Sequence, residues 1–360
     1  MPGVERRMTR QVKVRNVLIG GGAPISVQSM TKTDTRDREA TLAQVLRLTE
    51  AGCDIVRLAI PDEDAARSLA WIRKHTDAAL VADIHFDYRL GLLAIESGAD
   101  KIRVNPGNIP QRGLKELAAA CRANGVPVRV GVNSGSIARE ILSRHGGLTV
   151  AALVESALQG VRLVEDAGVT DIVISLKATD PLMTIQAYRE ISNLTDRPLH
   201  LGLTESGAPR SGTVRSAVTL GVLLAGGIGD TIRVSLTGDP VEEVRVGLAI
   251  LRSLGLREGG VEIISCPTCG RCSIGLDRLA GIASEVERGV SGIRAPLKIA
   301  IMGCEVNGPG EAREADVGLA VGRGRGLLFV RGKPVRQVDE KEFVKAILDE
   351  VRRIVPPEEG

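Results

Sequence analysis

A chain of 360 residues, 43% of them hydrophobic, has room for one large domain and a smaller one. Lys and Arg (47) nearly balance Asp and Glu (44) and aromatic residues make up only 2%, so neither a nucleic-acid-binding charge nor stacking faces for single strands are present. No run of about 18 apolar residues is available for a membrane span, and the N-terminus, MPGVERRMTRQVKVRNV, lacks the apolar segment of a secretory signal; a cytoplasmic protein with no membrane or nucleic-acid partner is expected.

In chain order, Gly20-Gly21-Gly22 reads as a turn before the first strand. Eight short apolar, β-branched runs then follow, at 25–29, 55–60, 80–85, 101–105, 128–133, 172–177, 199–204 and 231–236. Amphipathic segments such as 38–51, 65–75 and 88–97 lie between them. The stretches 51–54, 98–100 and 167–171 share one helix-ending device, a Gly just before the next strand. Strands alternating with helices form parallel βαβ units, and eight of them predict a closed (β/α)8 TIM barrel over residues 1–258. A doubly wound open sheet is the alternative, but no G-x-G-x-x-G follows the first strand.

A barrel does its chemistry at the C-terminal ends of its strands. Those ends carry Gln28 and Ser29, Arg57, Asp83 and His85, Arg103 and Asn105, Arg129 and Asn133, Ser175 and Lys177, Thr204 and Glu205, then Arg233 and Ser235. Residues two apart share a strand face, so Asp83/His85, Arg103/Asn105, Ser175/Lys177 and Arg233/Ser235 each aim together. Arg57, Arg103, Arg129, Lys177 and Arg233 would repel one another in one mouth unless an anion sits there. Arg forks match phosphate oxygens, so a small ligand with more than one phosphate charge is expected. Glu205 is the acid placed among these cations to handle a proton, with a structural salt bridge as the alternative; Asp83/His85 reads equally as a structural pair.

Residues 259–360 change texture and predict a compact α+β unit. Strands are expected at 261–265, 297–302, 316–320 and 327–330, helices at 275–289 and 340–354, and a turn at Gly332-Lys333-Pro334. The first strand ends in Cys266-Pro-Thr-Cys269-Gly-Arg-Cys272, the second in Gly-Cys304-Glu-Val-Asn-Gly-Pro-Gly-Glu311. Cys53 and Cys121, the remaining two of six cysteines, sit in apolar surroundings as core residues. C-x2-C with a distant Cys before Pro and Gly resembles cubane ligation, while Cys272 as a fourth thiolate keeps structural zinc open. Glu311, beyond an Asn-Gly-Pro-Gly turn, offers a hard, exchangeable carboxylate; its alternative is a helix start or surface turn.

Residues 26–31 (SVQSMT), 101–108 (KIRVNPGN), 131–136 (GVNSGS), 265–271 (SCPTCGR) and 302–311 (MGCEVNGPGE) together resemble the hydroxymethylbutenyl diphosphate synthase family. The resemblance implies a TIM barrel followed by a cluster domain like those of sulfite and nitrite reductases. It implies a [4Fe-4S] cluster on Cys266, Cys269, Cys304 and Glu311, with Glu311 also catalytic, and it demotes Cys272 to a bystander. The implied substrate is 2-C-methyl-D-erythritol 2,4-cyclodiphosphate, opened and dehydrated with two electrons from reduced flavodoxin or ferredoxin. Its diphosphate is expected on Arg57, Arg103, Arg129, Lys177, Arg233 and Ser235, with Asn105 and Asn133 nearby, Asp83, His85 and Thr204 lining the site and Glu205 as the proton-handling acid. The short connection at 256–260 limits how far the cluster domain can reach its own barrel, and the family pattern implies a head-to-tail homodimer. A TIM-barrel synthase or aldolase acting on a phosphorylated ligand and carrying structural zinc is the alternative function.

Overall fold

The computed structural model describes residues 4–293, 295–322 and 324–355, and the chain divides after Arg257 into two compact units. In the first unit the barrel strands are Ser26–Met30, Ile55–Ala59, Ala79–Asp83, Lys101–Val104, Val128–Asn133, Ile172–Lys177, His200–Leu201 and Thr231–Ile232, all parallel. The eighth strand pairs with the first through Thr231 and Ser26, and a parallel bridge from Ile174 to Leu199 closes the ring. The third, seventh and eighth strands are shorter than their apolar runs predict. As a result His85, Thr204, Arg233 and Ser235 stand on the loops just beyond the strand ends.

Local chemistry sets the βα rhythm. Asp37, Asp62, Asp180 and Asp239 each cap the helix that follows, accepting from a backbone N–H two or three residues on. Gly52, Gly98 and Gly168 close helices at φ of 94°, 87° and 91°, where a β-carbon would strain the chain. Cys53 and Cys121 lie in the core, and burial pushes both thiols up to about 12.

An N-terminal hairpin, Val12–Val14 with Val17–Ile19, was not anticipated. Its Val12, Val14 and Ile19 pack with Ile55, Ala79, Val81 and Val173, inward residues near the strand starts. The hairpin therefore plugs the end of the barrel opposite the polar strand ends.

The second unit is a five-stranded sheet ordered Val261–Ser265, Leu297–Met302, Val317–Val321, Arg325–Val330 and Lys333–Asp339. The first three strands are parallel and the last two antiparallel. Alternation sorts its faces: Ile299, Ile301, Val317 and Leu319 pack with helices Leu276–Val290 and Phe343–Ile354, whereas Ala300 and Met302 face the other way. On that other face lies the short helix Gly308–Arg313, and a β-carbon on Gly318 would fall 2.2 Å from its Ala312 carbonyl. Two expectations change here. The supposed turn at Gly332-Lys333-Pro334 is a two-residue Arg331-Gly332 turn, both residues at positive φ, leading into a fifth strand. The supposed Asn-Gly-Pro-Gly turn is instead the start of a helix, with Pro309 in its first turn where no N–H is needed.

Candidate functional site

The C-terminal ends of the barrel strands enclose a cavity of about 430 Å³ including its open mouth. Arg57, Asp83, His85, Arg103, Arg129, Asn133, Ser175, Lys177, Thr204, Arg233 and Ser235 line it. Ten of these eleven are residues that the family resemblance implied as ligand contacts; Ser175, which it did not name, was placed at the strand end by its pairing with Lys177.

The cations are held by very few anions. Asp83, 3% exposed, has Arg103 at 3.1 Å, His85 at 3.4 Å and Arg57 at 3.7 Å. Burial alone would raise its carboxyl, but Arg57, His85 and Arg103 outweigh burial and hold it far below the carboxylate range. Burial, relieved in part by Asp83, brings Arg57 down to about 10. Its guanidinium also donates to the Met30 sulfur at 2.8 Å. Asp83 is thus the internal counterion of the mouth.

Sequence reasoning missed Glu243, on the helix Pro240–Ser253 that packs behind the first strand. Only 1% exposed, it accepts from Ser29 Oγ at 2.9 Å and from the Leu236 backbone N–H, and meets Lys32 at 3.0 Å and Arg233 at 3.7 Å. Nothing in its local pattern separates it from the exposed acids of an amphipathic helix.

A layer below, the barrel interior stays polar. Lys101, Arg129 and His200 face inward and are buried, a layer that sequence reading did not include apart from Arg129. None of the three Arg129 guanidinium nitrogens has a hydrogen-bond partner among the described residues, nor does Lys101 Nζ. Burial and the neighbouring cations hold both far below their ordinary proton affinity. A buried guanidinium without a partner is costly and marks a place for an anion. Glycines make room for these side chains: a β-carbon on Gly131 would stand 2.6 Å from Arg103 Nε, and one on Gly202 2.6 Å from Lys177 Nζ.

Two nominated residues lie elsewhere. Asn105 is buried but caps the turn Pro106–Asn108, accepting from the Gly107 N–H and donating to Ser136 Oγ at 3.1 Å, so it shapes the loop outside the cavity wall. Glu205 is exposed at φ 51°, and this left-handed backbone puts it one step past Thr204, outside the lining.

In the second unit Cys266 and Cys304 end adjacent parallel strands, whose last paired residues are Ser265 and Ile301. Cys304 is buried, Cys266 half-buried and Cys269 exposed. Backbone N–H groups of Asn307, Val306 and Gly308 converge on the Cys304 sulfur and lower its proton affinity. Arg271, through backbone and side chain, does the same for Cys269, and these two sulfurs are close enough to repel as thiolates. Glu311 is exposed on the helix Gly308–Arg313, one turn past the loop that wraps Cys304. Cys272, like Cys266, packs at the edge of the core, its sulfur 2.9 Å from where a β-carbon of Gly303 would sit and 3.7 Å from the Gly275 carbonyl. Among the described residues no three His, Cys, Asp or Glu side chains stand together as a ready site for a single ion, and no helix is long and apolar enough to cross a membrane.

Residues 9–248 match the GcpE TIM-barrel domain and residues 262–353 the GcpE protein C-terminal domain. The chain is 55% identical to the 4-hydroxy-3-methylbut-2-en-1-yl diphosphate synthase (flavodoxin) of Caldanaerobacter subterraneus subsp. tengcongensis, over 98% of this chain and 99% of that one. It is also 55% identical to the protein of that name from Geobacter sulfurreducens, over 96% and 98%. Among solved structures, dihydropteroate synthase from Stenotrophomonas maltophilia aligns with a TM-score of 0.52 at 18% identity, over 69% of this chain and 98% of that one; this likeness concerns the barrel fold alone.

Proposed function

This chain belongs to the GcpE family, and from that premise we propose that it opens and dehydrates 2-C-methyl-D-erythritol 2,4-cyclodiphosphate to 4-hydroxy-3-methylbut-2-enyl diphosphate, in isoprenoid precursor biosynthesis. The observation that carries this reading is the cavity of five cations around one buried carboxylate, with Arg129 lacking any partner. Such a mouth is built for a ligand with two fixed negative charges.

Cys266, Cys269, Cys304 and Glu311 are the proposed ligands of a [4Fe-4S] cluster. The donor set fits: two of its thiols carry converging N–H donors that favour thiolate, as cluster sulfurs require, and a carboxylate follows within one turn. When bound, the cluster would pass on two electrons, one at a time, and offer an iron as a Lewis acid; flavodoxin, named in the relatives' descriptions, is the proposed donor. Glu311, as the exchangeable ligand, would leave that iron open to substrate.

The remaining work falls to the barrel. Arg57, Arg103, Arg129, Lys177 and Arg233 bind and orient the diphosphate, with Asn133, Ser175, Thr204 and Ser235 as neutral contacts along the wall. Asp83 and Glu243 hold the guanidinium groups in place, which lowers the cost of ordering them on binding. Glu205, at the rim beyond Thr204, is assigned the proton that leaves with water. Residues 1–258 are thus the substrate domain and 259–360 the cluster domain, and a head-to-tail homodimer is proposed to bring one copy's cluster to the other's barrel. A zinc-bearing synthase or aldolase is not favoured, since it gives Glu311 no role. The test is iron, sulfide and zinc content of anaerobically purified protein, with turnover of the cyclodiphosphate by reduced flavodoxin. Zinc without iron, or iron–sulfur protein without turnover, overturns the reading; a strictly monomeric, fully active enzyme in sedimentation overturns the dimer.

A further inference from the structure

The barrel mouth holds more buried positive charge than negative. Lys177 ends the sixth strand, 6% exposed. Facing it are Arg129 from the fifth strand, Arg233 just past the eighth, Arg57 from the second and Arg103 from the fourth. From the seventh strand His200 brings Nε2 to 3.5 Å from Lys177 Nζ, while its Nδ1 lies 3.4 Å from Thr231 Oγ1. The two buried carboxylates that meet the cations of the mouth are occupied elsewhere: Asp83 with Arg57, Arg103 and His85, and Glu243 with Arg233 and Lys32. Among the described residues no carboxylate stands within ion-pairing distance of Lys177.

We infer that Lys177 is unprotonated while the mouth is empty and takes up one proton when a dianionic ligand enters, with His200 as the positioning residue that accepts from its amine. A guanidinium holds its proton far more firmly than an amine, so Lys177 yields before the arginines around it, and Lys101, the other buried amine, lies a layer below. Burial, and then Arg129, Arg233, Arg57 and Arg103, hold its proton affinity well below that of an exposed lysine. Entry of two negative charges reverses the balance and restores the ammonium. The inference rests on the cyclodiphosphate as ligand, and that ligand makes it measurable. Each ring phosphorus carries one strongly acidic oxygen, so the ligand has a fixed 2− charge near neutrality and no proton of its own to exchange. In the reaction two electrons and one proton enter, the ring C–O bond to phosphate breaks, water leaves, and the ligand passes from 2− to 3−. A Lys177 already charged then meets the new phosphate charge without a further transfer.

Calorimetric titration of the full-length holoenzyme with the cyclodiphosphate at pH 8, in buffers of different ionisation enthalpy, tests this. The slope of heat against buffer enthalpy should report close to one proton taken up per site. Affinity should weaken as pH rises above 8. Lys177→Arg, which cannot lose its proton, should bind with the slope abolished, and Lys177→Gln should bind more weakly, also with no slope. Binding by the wild type with zero slope, or the same slope in Lys177→Arg, overturns this inference alone. No binding at all overturns the substrate assignment along with it.

Discussion

Replacing Asp83 with Asn keeps the shape of the side chain and removes the charge that gathers Arg57, Arg103 and His85. At an effective dielectric of about 20, unit charges separated by the 3.1 and 3.7 Å seen for Arg103 and Arg57 attract by roughly 5 and 4.5 kcal/mol. Withdrawing the carboxylate from water offsets several kcal/mol of that. Breaking a buried pair from one side nonetheless costs about 3–5 kcal/mol, because the cations stay buried without their partner. For a unit of this size the loss corresponds to a fall of roughly 6–20 °C in Tm. The single tryptophan, Trp71, lies on the second barrel helix, so its fluorescence reports the barrel and not the smaller unit. Urea or thermal unfolding followed at Trp71 gives the number directly. Millimolar inorganic diphosphate should restore part of the loss by supplying a new counter-charge to the same cations. A variant as stable as the wild type, within about 1 kcal/mol, would refute the view that Asp83 neutralises the mouth.

Gly202→Ala brings a β-carbon to 2.6 Å from Lys177 Nζ and 2.7 Å from the Arg233 carbonyl; KM for the cyclodiphosphate should rise about tenfold or more, since a displaced contact of ~1.4 kcal/mol is already tenfold. Glu311→Ala should keep a more oxygen-labile visible chromophore and lose most turnover, and unchanged turnover would sink its ligand role. Cys272→Ala should leave iron content and turnover near wild type, because its sulfur is turned to the Gly275 carbonyl at 3.7 Å. His200 is held neutral by burial first and then by Arg129, Lys177, Lys101 and Arg57. Its contribution is therefore complete above the unfolded pKa of about 6.5 and is lost below it, at up to ~1.4 kcal/mol per pH unit, in unfolding followed at Trp71. His200→Asn should flatten that acid limb.

The strand-end residues were legible because two physical signals coincide in them. A parallel barrel strand is apolar along its length, so an Arg or Asp near its C-terminal end interrupts the pattern, and alternation then says which neighbours share its face. Short strands and fixed turns did the rest for the cysteine loops, where C-x2-C and the run at 302–311 mark the donors directly. What escaped was charge that lies off the strands or deeper in the ring. Glu243 is one acid among several on an amphipathic helix, and only the packing of that helix turns it toward Ser29 and Arg233. Lys101 and His200 begin their strands, where a polar residue normally faces solvent; here the inward face continues them beneath Arg103 and Arg233. The fifth strand of the small sheet escaped for a related reason, since all but one of its residues are exposed and no apolar alternation announces it.

The two buried acids of the mouth, Asp83 foreseen and Glu243 missed, change how the five cations are understood. Taken as side chains alone, they demand an anion merely to coexist. With Asp83 and Glu243 in place, Arg57, Arg103 and Arg233 each have a partner before any ligand arrives. The basic side chains without an acid partner among the described residues are thereby confined to Arg129, Lys177 and the Lys101 beneath them, on three adjacent strands. That confinement gives the site a direction. A doubly charged ligand gains most by placing its charge against the fourth, fifth and sixth strands, where no acid neutralises the wall.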